Sequence, residues 1–248
     1  MSAARAPSSA NSLIEATRNR ARYSGHGSAI GAAGYISDTD DDSYSFLGST
    51  GETSIFNPRE GGFPKIRIGA AWDNEHFRRA GFLGKLIKKA RKVGIDLDLG
   101  CLYELEDGSR GCIQAFGENF GAYEKEPYIR LGGDERTGDT PGDDEIIAIN
   151  GSKWPEIKHL LIYMYIYDGA ENWAEVKPQI HIRMPDEKPV IVTLHTHRPE
   201  LPLCAVAGME NVRGGIRVTN HTEYFPGHAE MDRAFGFGID WEDGQKRP

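Results

Sequence analysis

The pattern of apolar and polar positions divides the chain near residue 60. From Phe63 onward, short runs of β-branched, aromatic and alternating residues are separated by turn signals, as strands are. They predict strands at 65–72, 97–105, 111–117, 145–149, 158–167, 179–184, 189–195, 202–209 and 215–224. Asp107-Gly108, between the second and third, is a strong hairpin signal. The 158–167 run (KHLLIYMYIY) is almost continuously apolar, which predicts a central strand buried on both faces. So many short strands with so little helical period predict an all-β fold, a β-sandwich. A short C-terminal helix over 228–235 is expected to cap one end of it.

One basic helical insertion interrupts the strands. Residues 78–93 (RRAGFLGKLIKKARKV) carry Arg78, Arg79, Lys85, Lys88, Lys89, Arg91 and Lys92 with no acid. Phe82, Leu83, Leu86, Ile87 and Ala90 recur at three- and four-residue spacings, an amphipathic helix. Such a helix either packs its stripe on the sandwich and solvates its lysines, or makes a contact for an acidic partner, anionic lipid or RNA.

Residues 1–62 lack the pattern. Ala, Ser and Gly dominate to Gly34, an acidic run (DTDDDS) fills 38–43, and apolar residues are sparse. The expectation is a disordered N-terminal extension, followed by one domain over 63–248. Residues 12–22 have the length of a transient helix only. The acidic run is not an EF-hand loop, because Ser43 and Ser49 stand where that loop needs Gly and Glu.

Charge and composition narrow the function. Among 248 residues, 37 Asp+Glu outnumber 29 Lys+Arg, for a net charge of −8. That field disfavours a uniformly basic nucleic-acid binder, and no specific nucleic acid is expected. No run approaches the roughly 18 apolar residues of a membrane-spanning helix. Three cysteines (Cys101, Cys112 and Cys204) are too few for a disulfide scaffold. With no apolar signal-type core in residues 1–12, the expected compartment is the cytoplasm.

The informative chemistry lies in two acidic segments. In 95–99 (IDLDL), Asp96 and Asp98 share one strand face while Leu97 and Leu99 share the other. In 131–146 (LGGDERTGDTPGDDEI), Asp134, Glu135, Asp139, Asp143, Asp144 and Glu145 crowd together with Arg136 as the single cation. Such a cluster in a Gly-punctuated loop calls for compensating charge. Calcium takes six to eight oxygen ligands in flexible geometry, and Thr137 adds a further oxygen here. No His or Cys in the loop favours zinc or copper, and magnesium ranks second. The competing reading is an acidic surface loop without an ion.

At these residues a family resemblance emerges. DLDLGCLYELEDG (96–108), GGDERTGDTPGDDEIIAING (132–151) and EYFPGHAEMDRAFGFGIDW (223–241) resemble the tellurium-resistance TerD family, in its TerA-like branch. The similarity covers about residues 63–243. It implies a β-sandwich that binds calcium, without enzymatic activity, in bacterial tellurite resistance and related stress responses. The family's DxD carboxylates fall on Asp96 and Asp98. Its GDN-x-TG element falls on Gly133, Asp134, Glu135, Arg136, Thr137 and Gly138, with the charged Glu135 where the family carries Asn. Its GDDE element falls on Gly142, Asp143, Asp144 and Glu145. The implied metal ligands are thus Asp96, Asp98, Asp134, Glu135, Thr137, Gly138, Asp143, Asp144 and Glu145. Asp139, where the family varies, is a further ligand or plain loop charge. The resemblance implies an adaptor in a multi-protein assembly with other tellurium-resistance proteins. The alternative is a calcium-dependent module on an anionic membrane, placed peripherally at the inner membrane and touching it through the 78–93 helix.

Enzymatic readings find less support. No GxSxG, P-loop or strand-to-helix GxGxxG is present. His195 and His197 (HTH) could start a zinc site with Cys204, His221 and His228, but strand histidines are more often solvent-facing or hydrogen-bonded in the core. A two-residue turn at Asp107-Gly108 would set Tyr103 opposite Cys112 and Cys101 opposite Gln114. The two sulfurs would then share a face on a diagonal of roughly 7–8 Å, too long for a relaxed disulfide.

Overall fold

A computed structural model describes residues 42–58, 60–72, 96–115, 119–132, 145–168, 170, 172–194, 198 and 200–241. The described residues form thirteen strands in two packed sheets, the expected all-β sandwich. One sheet holds β1 (Ser45–Leu47), β3 (Ile66–Ala71), β6 (Gly121–Ala122), β7 (Ile129–Gly132), β8 (Glu145–Ile149), β10 (Gln179–Arg183) and β11 (Val190–Thr193). Its order is β1-β11-β10-β3-β8-β7-β6. The other holds β2 (Thr53–Phe56), β4 (Asp96–Leu105), β5 (Arg110–Ile113), β9 (Ile157–Asp168), β12 (Leu203–Val212) and β13 (Gly215–Phe225), in the order β2-β13-β12-β9-β4-β5. Among the described residues, a 3-10 helix (Gly151–Glu156) and two short α-helices, α1 (Trp173–Val176) and α2 (His228–Phe235), accompany them.

Alternation builds the core. Ile66, Ile68 and Ala70 of β3 meet Leu97, Leu99 and Cys101 of β4 and Ile162 and Met164 of β9 between the sheets. The long apolar β9 lies between β12 and β4 and is covered on both faces, as its sequence predicts. Its outward residues Leu161 and Tyr163 form a second cluster with Leu102, Phe225, Met231 and Phe237. The helix expected over 228–235 is present as α2, but with the chain after it covers the outer face of the second sheet, not an end of the sandwich.

Two further sequence expectations need correction. The disordered extension through residue 62 fails for the described residues 42–58, where β1 pairs in parallel with β11 and β2 pairs with β13. Leu47 and Phe56 are buried there, so two very short strands gain enough packing to be held. The β4–β5 hairpin also differs by one residue. Its loop is Glu106, Asp107 and Gly108, closed by Leu105 N–H donating to the Ser109 carbonyl (2.8 Å), with Gly108 at φ 85°. Asp107 accepts from the Ser109 amide at 2.8 Å and from its hydroxyl at 2.9 Å, which selects the three-residue loop. Tyr103 therefore faces Gly111, and Leu102 faces Cys112. Because strand side chains alternate, the one-residue shift puts Cys101 in the inter-sheet core and Cys112 in the outer cluster.

Candidate metal centre

One end of the sandwich gathers the described parts of both acidic motifs. Ala70 of β3 pairs with Glu145 of β8, and Gly132 of β7 pairs with Ile146. The exits of β3 and β7 and the entry of β8 thus lie together. Across the inter-sheet space, the Leu99 amide donates to Glu145 Oε2 at 2.5 Å. Leu99 lies in the part of β4 before its pairing with β5 begins at Cys101. Its outward N–H therefore faces an edge that no strand of the described residues pairs, and Glu145 supplies the acceptor.

Leu97 and Leu99 point into the core, and Asp98 lies on the opposite face, as the alternation predicts. Asp98 is only 4% exposed. Its cross-strand partner is Tyr165, and the neighbouring pair is Gly100 with Tyr163. Gly100 is required here, because a Cβ would lie 2.3 Å from the Tyr163 ring. Burial first, and the Asp98 charge second, push the Tyr165 phenol up. Tyr163 rises for the same leading reason, with Cys112 the next cause. Asp96 opens β4, and its register partner is Asp168 at the end of β9, with a bulge beside them at Tyr167. Sequence reasoning missed Asp168; the signal was an Asp-Gly pair closing the long apolar run.

Asp134, Glu135, Thr137, Gly138, Asp139, Asp143 and Asp144 lie outside the described residues, as do Arg78, Arg79, Lys85, Lys88, Lys89, Arg91 and Lys92. Among the described residues, no three His, Cys, Asp or Glu side chains converge on one point. The described acids at this end, Asp98 and Glu145, are oxygen donors of the kind hard cations take, and Asp98 is a carboxylate already withdrawn from water.

Among the described residues, the other candidate chemistry does not assemble. His195 and His197 lie outside the described residues. Cys204 faces the inter-sheet core, whereas His221 packs on Phe235 and His228 on Tyr163, against the outer cluster. All three cysteines are buried and free, and burial pushes the Cys112 thiol up to about 12. Cys101 and Cys204 rise for the same cause. Thiols held protonated in a core are poor nucleophiles.

The motif at 223–241 serves as a strap. Asp232 of α2 accepts from the amides of Gly238 and Ile239 and from Trp241 Nε1, each at 2.8 Å. Gly236, at φ 75°, ends the helix in the left-handed conformation and returns its N–H to Asp232 O at 2.7 Å. Arg110 Nη1 donates to Phe237 O at 2.9 Å, pinning the strap to β5.

Over 188 residues, 76% of this chain, the sequence is 39% identical to the tellurium resistance protein TerA of Alcaligenes sp.. The chain belongs to the TerA-like tellurium-resistance family. The aligned part is 54% of that relative, so this TerA-like chain spans about half its length. No protein-family model matches the chain.

Proposed function

We propose that this TerA-like chain is a calcium-binding, non-enzymatic stress-response protein of the tellurium-resistance type. It works as an adaptor in a cytoplasmic multi-protein assembly with other tellurium-resistance proteins. The observation that carries the reading is the Leu99–Glu145 hydrogen bond, which holds the DxD strand against the closing residue of the GDDE element. The chain leaves β7 at Gly132 and re-enters β8 at Glu145, so the ends of the acidic loop are fixed near the Leu99 segment of β4. Oxygen donors on a rigid strand end and a Gly-punctuated loop suit calcium. When bound, the ion supplies positive charge that relieves carboxylate repulsion; the residues hold it and orient the loop.

Buried, protonated thiols speak for adaptor work over direct thiol reduction of tellurite. Calcium that binds only the folded chain raises its melting temperature by mass action. Scanning calorimetry with millimolar calcium against a chelator tests the reading. A higher melting temperature, diminished in Asp98→Asn, is expected, and identical scans overturn it.

A further inference from the structure

We infer that the C-terminal strap Gly227–Trp241 is coupled to the Asp98 end, so that a cation bound there tightens the strap. The inference rests on the calcium reading of that end. Its structural basis is a continuous line of contacts over the outer face of the second sheet. Asp98 is in register with Tyr165. The Tyr165 ring lies 5.6 Å from that of His228, the first residue of α2. The same imidazole meets Tyr163 edge-on at 5.2 Å and Trp241 at 5.3 Å. Trp241 in turn donates to Asp232, the residue that also holds Gly238 and Ile239. His228 is therefore the hub through which one end of the strap touches the tyrosines beside Asp98. Between His228 and Trp241, the strap is held at Phe237 by Arg110.

The direction follows from dielectric screening. A seated strap keeps water from Tyr163 and Tyr165 and lowers the effective dielectric around Asp98, where attraction between a carboxylate and a cation is then stronger. A lifted strap admits water to the same surface and weakens that attraction. The cation thus has different affinities for the two states, which is what a population shift requires. Linkage makes the effect reciprocal: whatever factor calcium adds to strap closure, closure adds to calcium affinity.

The test uses the full chain, calcium chloride as probe, and two separate readouts. Hydrogen exchange followed by NMR reads the strap at the Gly238 and Ile239 amides, with the Lys153 amide, bonded to Asn150 O at 2.9 Å, as a remote control. Isothermal calorimetry reads calcium binding itself. Calcium is expected to slow exchange at Gly238 and Ile239 by roughly fivefold or more, the low end of common couplings, with a smaller change at Lys153. Trp241→Ala is expected to weaken calcium binding by a similar factor. Tyr165→Leu is expected to bind calcium while losing the strap response, and Tyr165→Phe, which keeps the ring, to retain it. Binding heat with equal slowing at all three amides, or a strap response that survives in Tyr165→Leu, overturns the coupling alone. The absence of binding heat in the unmodified chain overturns the calcium reading and the coupling with it.

Discussion

The Leu99 amide donates a 2.5 Å hydrogen bond to Glu145 Oε2, joining a strand of one sheet to the first residue of a strand in the other. The carboxylate therefore has a structural task as well as a charge. Glu145→Ala leaves a strand-edge N–H without its acceptor and is expected to cost about 1–2 kcal/mol. Glu145→Gln keeps an acceptor oxygen and is expected to cost less, while lowering calcium affinity as much as Glu145→Ala does. Urea denaturation beside calcium calorimetry separates the two effects. Equal destabilisation by both variants would show that charge, and not the hydrogen bond, is what the fold uses.

Gly100 sits beneath Tyr163, whose hydroxyl donates to Gln114 Oε1 at 2.7 Å and lies 3.2 Å from Cys112 Sγ. The ring is held from above by His228 and has nowhere to move when a methyl group arrives. Gly100→Ala is expected to cost about 1–3 kcal/mol by overpacking. Tyr163→Leu also destabilises, but the double variant is expected to be more stable than the sum of the two changes predicts. Denaturation midpoints of the four proteins form the cycle, and simple additivity would remove the steric explanation.

The strands most legible in the sequence are those with clear alternation or long apolar runs, such as β9 and β12. Period 2 also placed Asp98 on the strand face opposite Leu97 and Leu99. What stayed hidden depended on partners distant in sequence. β1 and β2 have three and four residues, too few for a periodic signal, and exist because β11 and β13 offer them edges. The hairpin register turned on the bonds from Asp107 to Ser109, which favour a loop one residue longer than the Asp-Gly pair suggests. Asp168 became a neighbour of Asp96 only through the β4–β9 register.

The three cysteines share one environment although they lie on two faces of the second sheet. Each is free and buried, and burial raises each thiol above its ordinary range. A thiol reagent such as DTNB at pH 8 is expected to modify none of them in the folded chain and all three in urea. Slow labelling under native conditions should proceed at the rate of unfolding. Rapid reaction of one cysteine in the native protein would reopen a redox role. Replacement of all three by Ser is expected to leave cellular tellurite tolerance unchanged wherever the variant still folds.

Burial among Tyr163, Tyr165 and Trp241 lowers His228 from the ordinary 6.5 to about 4. A folded-state value below the unfolded one means that the unfolded chain takes up the proton first. The contribution of His228 is therefore fully present above pH 6.5 and declines as the pH falls toward 4. Across that interval the loss amounts to about 3 kcal/mol from this one residue. His159 and His221 are lowered in the same direction, chiefly by burial, and add to the slope. Glu104, 3.7 Å from His159 Nε2, partly offsets the lowering at His159. Burial raises its own carboxyl, but Lys158 and Arg110 outweigh that and hold it below the usual range, so its own contribution is lost at still lower pH. Urea midpoints measured in steps from pH 7.5 to pH 4 are expected to fall steadily below pH 6.5. His228→Phe keeps an aromatic ring in the stack and cannot take up a proton, so its curve is expected to be flatter by the His228 share. A curve of unchanged slope in that variant would assign the pH dependence to the other histidines and the carboxylates.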